Sequence, residues 1–155
     1  MSLDPLPPDT AQEQAWQRAL TWFEQLTPAD LDQMSAIYTE DARFKDPFHE
    51  VVGVPAIRAI FERMFAQLQQ PRFVITHAVR QGAHGFVTWD FVFAPPGRAV
   101  HNWTLRGATH LVLREDGGVW RIAVHRDYWD AAEELYEKLP LVGGLMHWLK
   151  RRANS

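Results

Sequence analysis

Apolar residues recur along this chain with two different periods, and the change of period divides it. Ala15, Trp16, Ala19, Leu20, Trp22, Phe23 and Leu26 form a stripe along one face of a helix. Thr10-Ala11-Gln12-Glu13 reads as a capping box, so that helix is expected to begin there, behind a Pro-rich arm over 1–9. Thr27-Pro28 is an N-cap with proline at the first helical position and Asp30 in the first turn. It predicts a shorter helix ending near Tyr38. Gly53-Val54-Pro55 opens a third helix, with the stripe Ile57, Ile60, Phe61, Met64, Phe65 and Leu68, closed by Pro71.

Beyond Pro71 the period falls to two. Segments 72–80, 84–94, 99–113 and 119–129 are rich in Val, Phe, Trp, Thr and Ile. The turn signals Gln81-Gly82, Pro95-Pro96-Gly97 and Asp116-Gly117-Gly118 separate them. Such short connections imply antiparallel hairpins. A helical pattern returns at Asp130, breaks at Pro140 and Gly143-Gly144, and ends in an amphipathic run, Leu139 to Arg152. The order predicts an α+β domain over 10–130, with N-terminal helices on one face of a curved antiparallel sheet, and a helical tail over 131–155. A sheet wrapped on helices encloses a conical, apolar pocket, the place for a ligand.

Composition narrows the function. With 16 basic and 19 acidic residues the net charge is −3, which argues against a nucleic-acid partner. The absence of cysteine excludes thiol catalysis, zinc–thiolate sites and disulfides. Seven histidines show no HExxH spacing, and no glycine-rich loop joins a strand to a helix, so neither a metal nor a nucleotide cofactor is expected. No secretory leader or membrane span is read, which makes a cytoplasmic location the expectation. Seven Trp and nine Phe exceed what one small core needs, and point to a lined cavity or an apolar dimer face.

Two places carry candidate chemistry. Tyr38 through Phe48 reads as a helix end, a turn and a short strand stopped at Asp46 by Pro47. Asp46 shares a strand face with Phe44, and Lys45 points the other way. A carboxylate there is either a turn cap or an acid–base group, because aromatic surroundings disfavour the ionised form of a carboxyl. On the last strand His125 and Asp127 stand two apart and share a face. They form an acid–base dyad if that face is inward, and a solvated pair if it is outward.

The segment Tyr38 to Phe48, then Gly53 and the helix from Pro55, resembles the SnoaL-like branch of the nuclear transport factor 2 superfamily. So does Leu113-Arg114-Glu115-Asp116-Gly117 followed by the strand ending Asp127-Tyr128-Trp129-Asp130. The resemblance implies a cone-shaped α+β barrel, usually a homodimer joined through outer sheet faces. Its members include isomerases, dehydratases, cyclases, epoxide hydrolases and proteins that only bind. Compared with ketosteroid isomerase, Asp46 stands where the proton-shuttling carboxylate is. Trp22 falls on the oxyanion tyrosine and Thr109 near the second oxyanion donor, so that particular activity is not expected. The resemblance turns Trp129, Asp127 and His125 inward, with Trp103 and Thr109 on the neighbouring strand and Trp89 on the one before. Tyr38, Phe48 and Phe61 complete the implied walls.

Two functions remain open. One is a cofactor-free lyase, isomerase or hydrolase acting on a small hydrophobic, cyclic molecule, with Asp46, His125 and Asp127 moving protons. The other is a non-catalytic ligand-binding or protein-interaction module on the same scaffold. The tail 139–152 caps the cone, packs on a dimer partner or, least favoured, lies on a membrane surface.

Overall fold

Two helical stripes and one sheet face meet in a shared apolar seam. The computed structural model describes residues 8–94 and 102–134. Helix α1 spans Pro8–Glu24. It starts two residues ahead of the expected capping box, with proline in the first turn, where its missing N–H costs nothing. The single helix expected next is instead a 3-10 helix, Pro28–Gln33, followed by one turn of α2, Met34–Ile37. Asp30 Oδ2 holds its start, accepting from the Thr27 backbone N–H at 2.8 Å and the Thr27 hydroxyl at 2.7 Å. The chain then passes into β1, Tyr38–Lys45, with no turn between, so Tyr38 is the first strand residue rather than a helix end.

Strand β2, Glu50–Val52, was not expected: three residues are too few to display a period. Helix α3 covers Val54–Gln67. Strands β3 (Gln69–Gln81), β4 (His84–Ala94), β5 (Trp103–Asp116) and β6 (Val119–Tyr128) follow, then a turn of α4, Ala131–Glu134. The sheet order is β2-β1-β6-β5-β4-β3. The four late strands pair antiparallel, as expected. β1 joins the far side of β6 in parallel, with Phe44 beside His125. A parallel pair needs a long crossover, which here is the whole chain from α3 through β5. The Pro95-Pro96-Gly97 turn, the arm over 1–7 and the amphipathic run 139–152 lie outside the described residues.

β6 does not alternate strictly. Val112 faces Val124 and Leu113 faces Ile122, leaving Ala123 as the extra residue of a bulge. The bulge lets Ile122 and His125 both point inward, although simple alternation puts them on opposite faces. The core then gathers the α1 stripe, Ile57 and Phe61 of α3, and Tyr38, Phe44, Val87, Leu111, Leu113 and Ile122 of the sheet. Burying an aliphatic side chain such as fully enclosed Ile57 stabilises by about 1.5–3 kcal/mol. A second cluster holds Trp89, Phe91, Phe93 and Leu105, with Trp103 and Trp129 packed against it.

On the outer face of the sheet, Phe86, His110 and Arg126 lie in register. The Phe86 ring stacks on His110 at 4.5 Å, and His84 Nδ1 lies 3.0 Å from His110 Nε2. Burial, and then repulsion from His84, pushes His110 below the ordinary imidazole value of 6.5. The unfolded chain therefore takes up this proton first as pH falls through 6.5, and stability drops; above that value the contribution is complete. Melting temperature is expected to decline on acidification below 6.5. His110→Gln should flatten part of that slope in a pH series of thermal melts.

Two glycines admit tryptophan rings against the sheet. A Cβ on Gly85 would lie 2.3 Å from the Trp16 indole, and one on Gly107 would lie 2.4 Å from the Trp89 indole. Both rings are buried, with little room to retreat. Gly107→Ala is expected to cost about 1–3 kcal/mol, the usual penalty for overpacking. Urea denaturation monitored by tryptophan fluorescence measures it.

Candidate functional site

Strand β6 delivers His125 and Asp127 to the inner face, and the neighbouring strands supply their partners. His125 is 5% exposed and sits among Phe23, Tyr38 and Phe44, whose rings pack on the imidazole. An imidazole buried this way needs both nitrogens bonded. Nδ1 lies 2.7 Å from the Tyr38 hydroxyl and Nε2 lies 2.8 Å from Asp127 Oδ1. Asp127 Oδ1 also accepts from the Thr109 hydroxyl at 2.6 Å. Thr109 Oγ1 in turn accepts from the Trp89 indole N–H at 2.8 Å. One unbroken chain thus runs Tyr38–His125–Asp127–Thr109–Trp89 across four strands.

Its protons can be assigned. Burial, and then the negative charge of Asp127, pushes the Tyr38 phenol well above its ordinary value of 10.0, so it remains protonated. A carboxylate only accepts, so the proton between His125 and Asp127 sits on Nε2. In that tautomer Nδ1 accepts from the Tyr38 hydroxyl.

Beside this chain is a cavity of about 30 Å³, lined by Phe23, Phe61, Phe73, Ile75, Val87 and Trp89 with Thr109, His125 and Asp127. It has the room of roughly one water molecule. Outside it, Lys45, Asp46, Pro47, Arg126, Tyr128, Trp129 and Asp130 line an open groove of about 580 Å³. Asp127 belongs to both spaces. It is the residue the interior cavity and the surface groove share.

Asp46 is held apart from the buried chain. It closes the turn between β1 and β2. Its Oδ1 accepts from the backbone N–H of Phe48 at 2.7 Å and of His49 at 2.6 Å, and the His49 ring lies 3.0 Å from both oxygens. The Asp46 backbone N–H donates to the His49 carbonyl, completing a tight turn over Asp46-Pro47-Phe48-His49. The structure therefore brings His125, Asp127, Thr109, Trp89, Phe61 and Tyr38 together, and leaves Asp46 on the groove wall with Trp129.

The remaining expected wall residues are spread. Trp22 is buried in the α1 core against Phe23, Tyr38 and Phe61, with its indole N–H given to the Asp30 carbonyl at 3.1 Å. Trp103 packs on Phe93 in the second cluster, away from the cavity. Phe48 is 48% exposed and meets Trp129 edge-on at 5.5 Å. Alternation turns Val87 inward, but sequence reasoning did not single out Phe23, Phe73 and Ile75 as lining. The helical stripe of α1 and the period-two pattern of β3 and β4 carried that signal. It also did not pair His49 with Asp46, although a histidine three residues after an Asp-Pro turn is within reach. No group of three or more His, Asp or Glu among the described residues is arranged to hold a metal ion. No helix among them is long and apolar enough to cross a membrane.

A family model described as a SnoaL-like domain matches residues 19–125. No curated protein matches the chain. Among solved structures, a protein from Shewanella putrefaciens CN-32, provisionally named a SnoaL-like polyketide cyclase, aligns with a TM-score of 0.66 at 21% identity. The match covers 83% of this chain and 97% of that one. An LEH-like epoxide hydrolase from M. tuberculosis aligns with a TM-score of 0.60 at 17% identity, over 81% and 86% of the two chains. An NTF2-like protein of unknown function from Burkholderia pseudomallei K96243 gives 0.64 at 17%, over 79% and 93%. At these identities the likeness shows the cone fold alone.

The Asp46 turn generates a stability test. Asp46→Ala removes an acceptor shared by two backbone N–H groups and is expected to cost about 1–3 kcal/mol. Asp46→Asn, whose amide oxygen still accepts from both, should cost less. Chemical denaturation of the two variants against the parent gives the comparison.

Proposed function

This chain belongs to the SnoaL-like family, and from that premise we propose that it is a cofactor-free acid–base catalyst acting on a small hydrophobic molecule. The observation that carries the reading is Asp127, which lines both an apolar cavity and an open groove and whose carboxylate is bonded to the His125 imidazole. A molecule lying in the groove presents its reacting atom to Asp127, which accepts or returns the proton. His125 stabilises the carboxylate in both states, and Tyr38 holds the imidazole in one tautomer. Asp46, on the same groove wall, is the second carboxylate a substrate meets. Phe61, Trp89 and Trp129 supply apolar surface, and no group beyond carboxylate and imidazole is needed for proton transfer next to a carbonyl. The names of the cyclase and the epoxide hydrolase among the structural relatives fit this class of chemistry and choose no substrate within it.

The test is exchange of carbon-bound hydrogen. A panel of small cyclic ketones and phenols is incubated with the protein in heavy water and followed by NMR. Exchange is expected for at least one member. Asp127→Asn should reduce it by roughly 10²–10⁴-fold with the fold intact, the usual worth of a positioned general base. The second reading is a module that binds without reacting, and the small size of the enclosed cavity favours it. Ligands that raise the melting temperature but never exchange or turn over would decide for that reading.

We further propose a homodimer joined through outer sheet faces. Phe86 and Val79, 51% and 66% exposed, support it as neighbouring apolar groups on that face. Light scattering at micromolar concentration is expected to give twice the mass of one chain. Phe86→Glu should return it to one, and a single-chain mass for the parent protein refutes the proposal.

A further inference from the structure

We infer that Trp89 and Thr109 form a positioning arm for the Asp127 carboxylate, and that Gly107 is the gap that admits it. The catalytic consequence rests on the acid–base reading above; the geometry does not. The direction of every bond in the arm is fixed. An indole N–H only donates. Trp89 Nε1 lies 2.8 Å from Thr109 Oγ1, so that oxygen is the acceptor. The single hydroxyl proton of Thr109 is thereby directed to Asp127 Oδ1, 2.6 Å away. From the other side His125 Nε2–H reaches the same oxygen at 2.8 Å. Two donor chains converge on Oδ1, and among the described residues Oδ2 has no hydrogen-bond partner. Both nitrogens of His125 are engaged as well. The lone pairs open to an incoming molecule are therefore those of Asp127 Oδ2, held in one plane by the two bonds to its twin.

Packing alone does not account for these residue types. Thr109 is 4% exposed and Trp89 is 7% exposed. Valine and phenylalanine fill such positions without burying a polar atom, whose desolvation must be repaid by a hydrogen bond. The indole also demands a glycine. Gly107 stands opposite Trp89 in the ladder, and a Cβ there would fall 2.4 Å from Cη2 of the ring. Three inward positions on two strands are thus matched to one another: a glycine for the ring, a ring nitrogen for the hydroxyl, and a hydroxyl for the carboxylate.

The experiment reads the imidazole directly, with no substrate. Long-range proton–nitrogen NMR correlations of His125 are recorded for the parent chain and for Thr109→Ser, Thr109→Val and Trp89→Phe. The parent and Thr109→Ser should show one tautomer, with the proton on Nε2. Thr109→Val, which removes one of the two bonds holding the carboxylate, should show the averaged shifts of a tautomer mixture. Trp89→Phe frees the Thr109 hydroxyl to turn away from Asp127 and should fall between. If Thr109→Val folds with the parent's nitrogen shifts, or if Thr109→Ser fails to keep them, the arm is overturned. If Trp89→Phe matches the parent, Trp89 is removed from it. If Thr109→Val does not fold, Trp89→Phe decides by the same reading. An intact tautomer signature in a protein that exchanges no substrate hydrogen overturns the proposed function and leaves the arm standing.

Discussion

A histidine sealed among aromatic rings must have both ring nitrogens satisfied, and His125 sets that requirement for the elements around it. Its Nδ1 fixes where β1 begins, because the Tyr38 hydroxyl has to reach it from the neighbouring strand. Its Nε2 fixes the rotamer of Asp127, and through it Thr109 and Trp89. Phe44 and Phe23 close over the ring from the sheet and from α1. Removing any one member leaves a buried donor or acceptor without its partner, which costs more than the lost bond itself. The parallel pairing of β1 on β6 is thus tied to the site, since no other strand placement sets Tyr38 and Phe44 beside His125.

The parts of this arrangement that could be read from the chain are those written locally. The stripes of α1 and α3 are helical because their apolar residues recur at three and four, and the structure buries Trp16, Phe23, Ile57 and Phe61 as those stripes require. The four late strands and their hairpins follow from period two and turn residues. His125 and Asp127 are two apart on a strand, so their common face needed no structure, although its inward direction came from the family resemblance. What could not be read is written at long range. The Tyr38–His125 bond joins residues 87 apart, and the parallel pairing that makes it has no local signature. The bulge at Ala123 is equally silent: one extra residue in a ladder is decided by the partner strand.

Asp46 shows what a local motif leaves open. The Asp-Pro-Phe-His segment marks a carboxylate at a strand end and says nothing of which donors will claim it. Two backbone N–H groups exposed by the turn at Pro47 do so, at 2.7 and 2.6 Å. Those bonds hold the carboxylate still against the turn. Asp127 is engaged differently. Its bonds come from side chains, His125 on its own strand and Thr109 on the next, and load one oxygen, leaving the other to the space around it.

The dimensions of that space constrain what approaches it. The cavity of about 30 Å³ has volume for a water molecule, but a water needs two to four polar partners to be held. Thr109 has donated its proton and both nitrogens of His125 are engaged, so Oδ2 of Asp127 is the polar atom left. Six apolar side chains against one acceptor favour a methyl or a ring edge over water, and burying such a group contributes about 0.8 kcal/mol per CH₂. A larger body does not fit without displacing Phe61 or Phe73, whose rings form the cavity wall. The groove, where Lys45, Arg126 and Trp129 stand, is the larger space at about 580 Å³. Asp127 thus lines two spaces of very different size, an apolar one with room for a small group and an open one with charged residues on its wall.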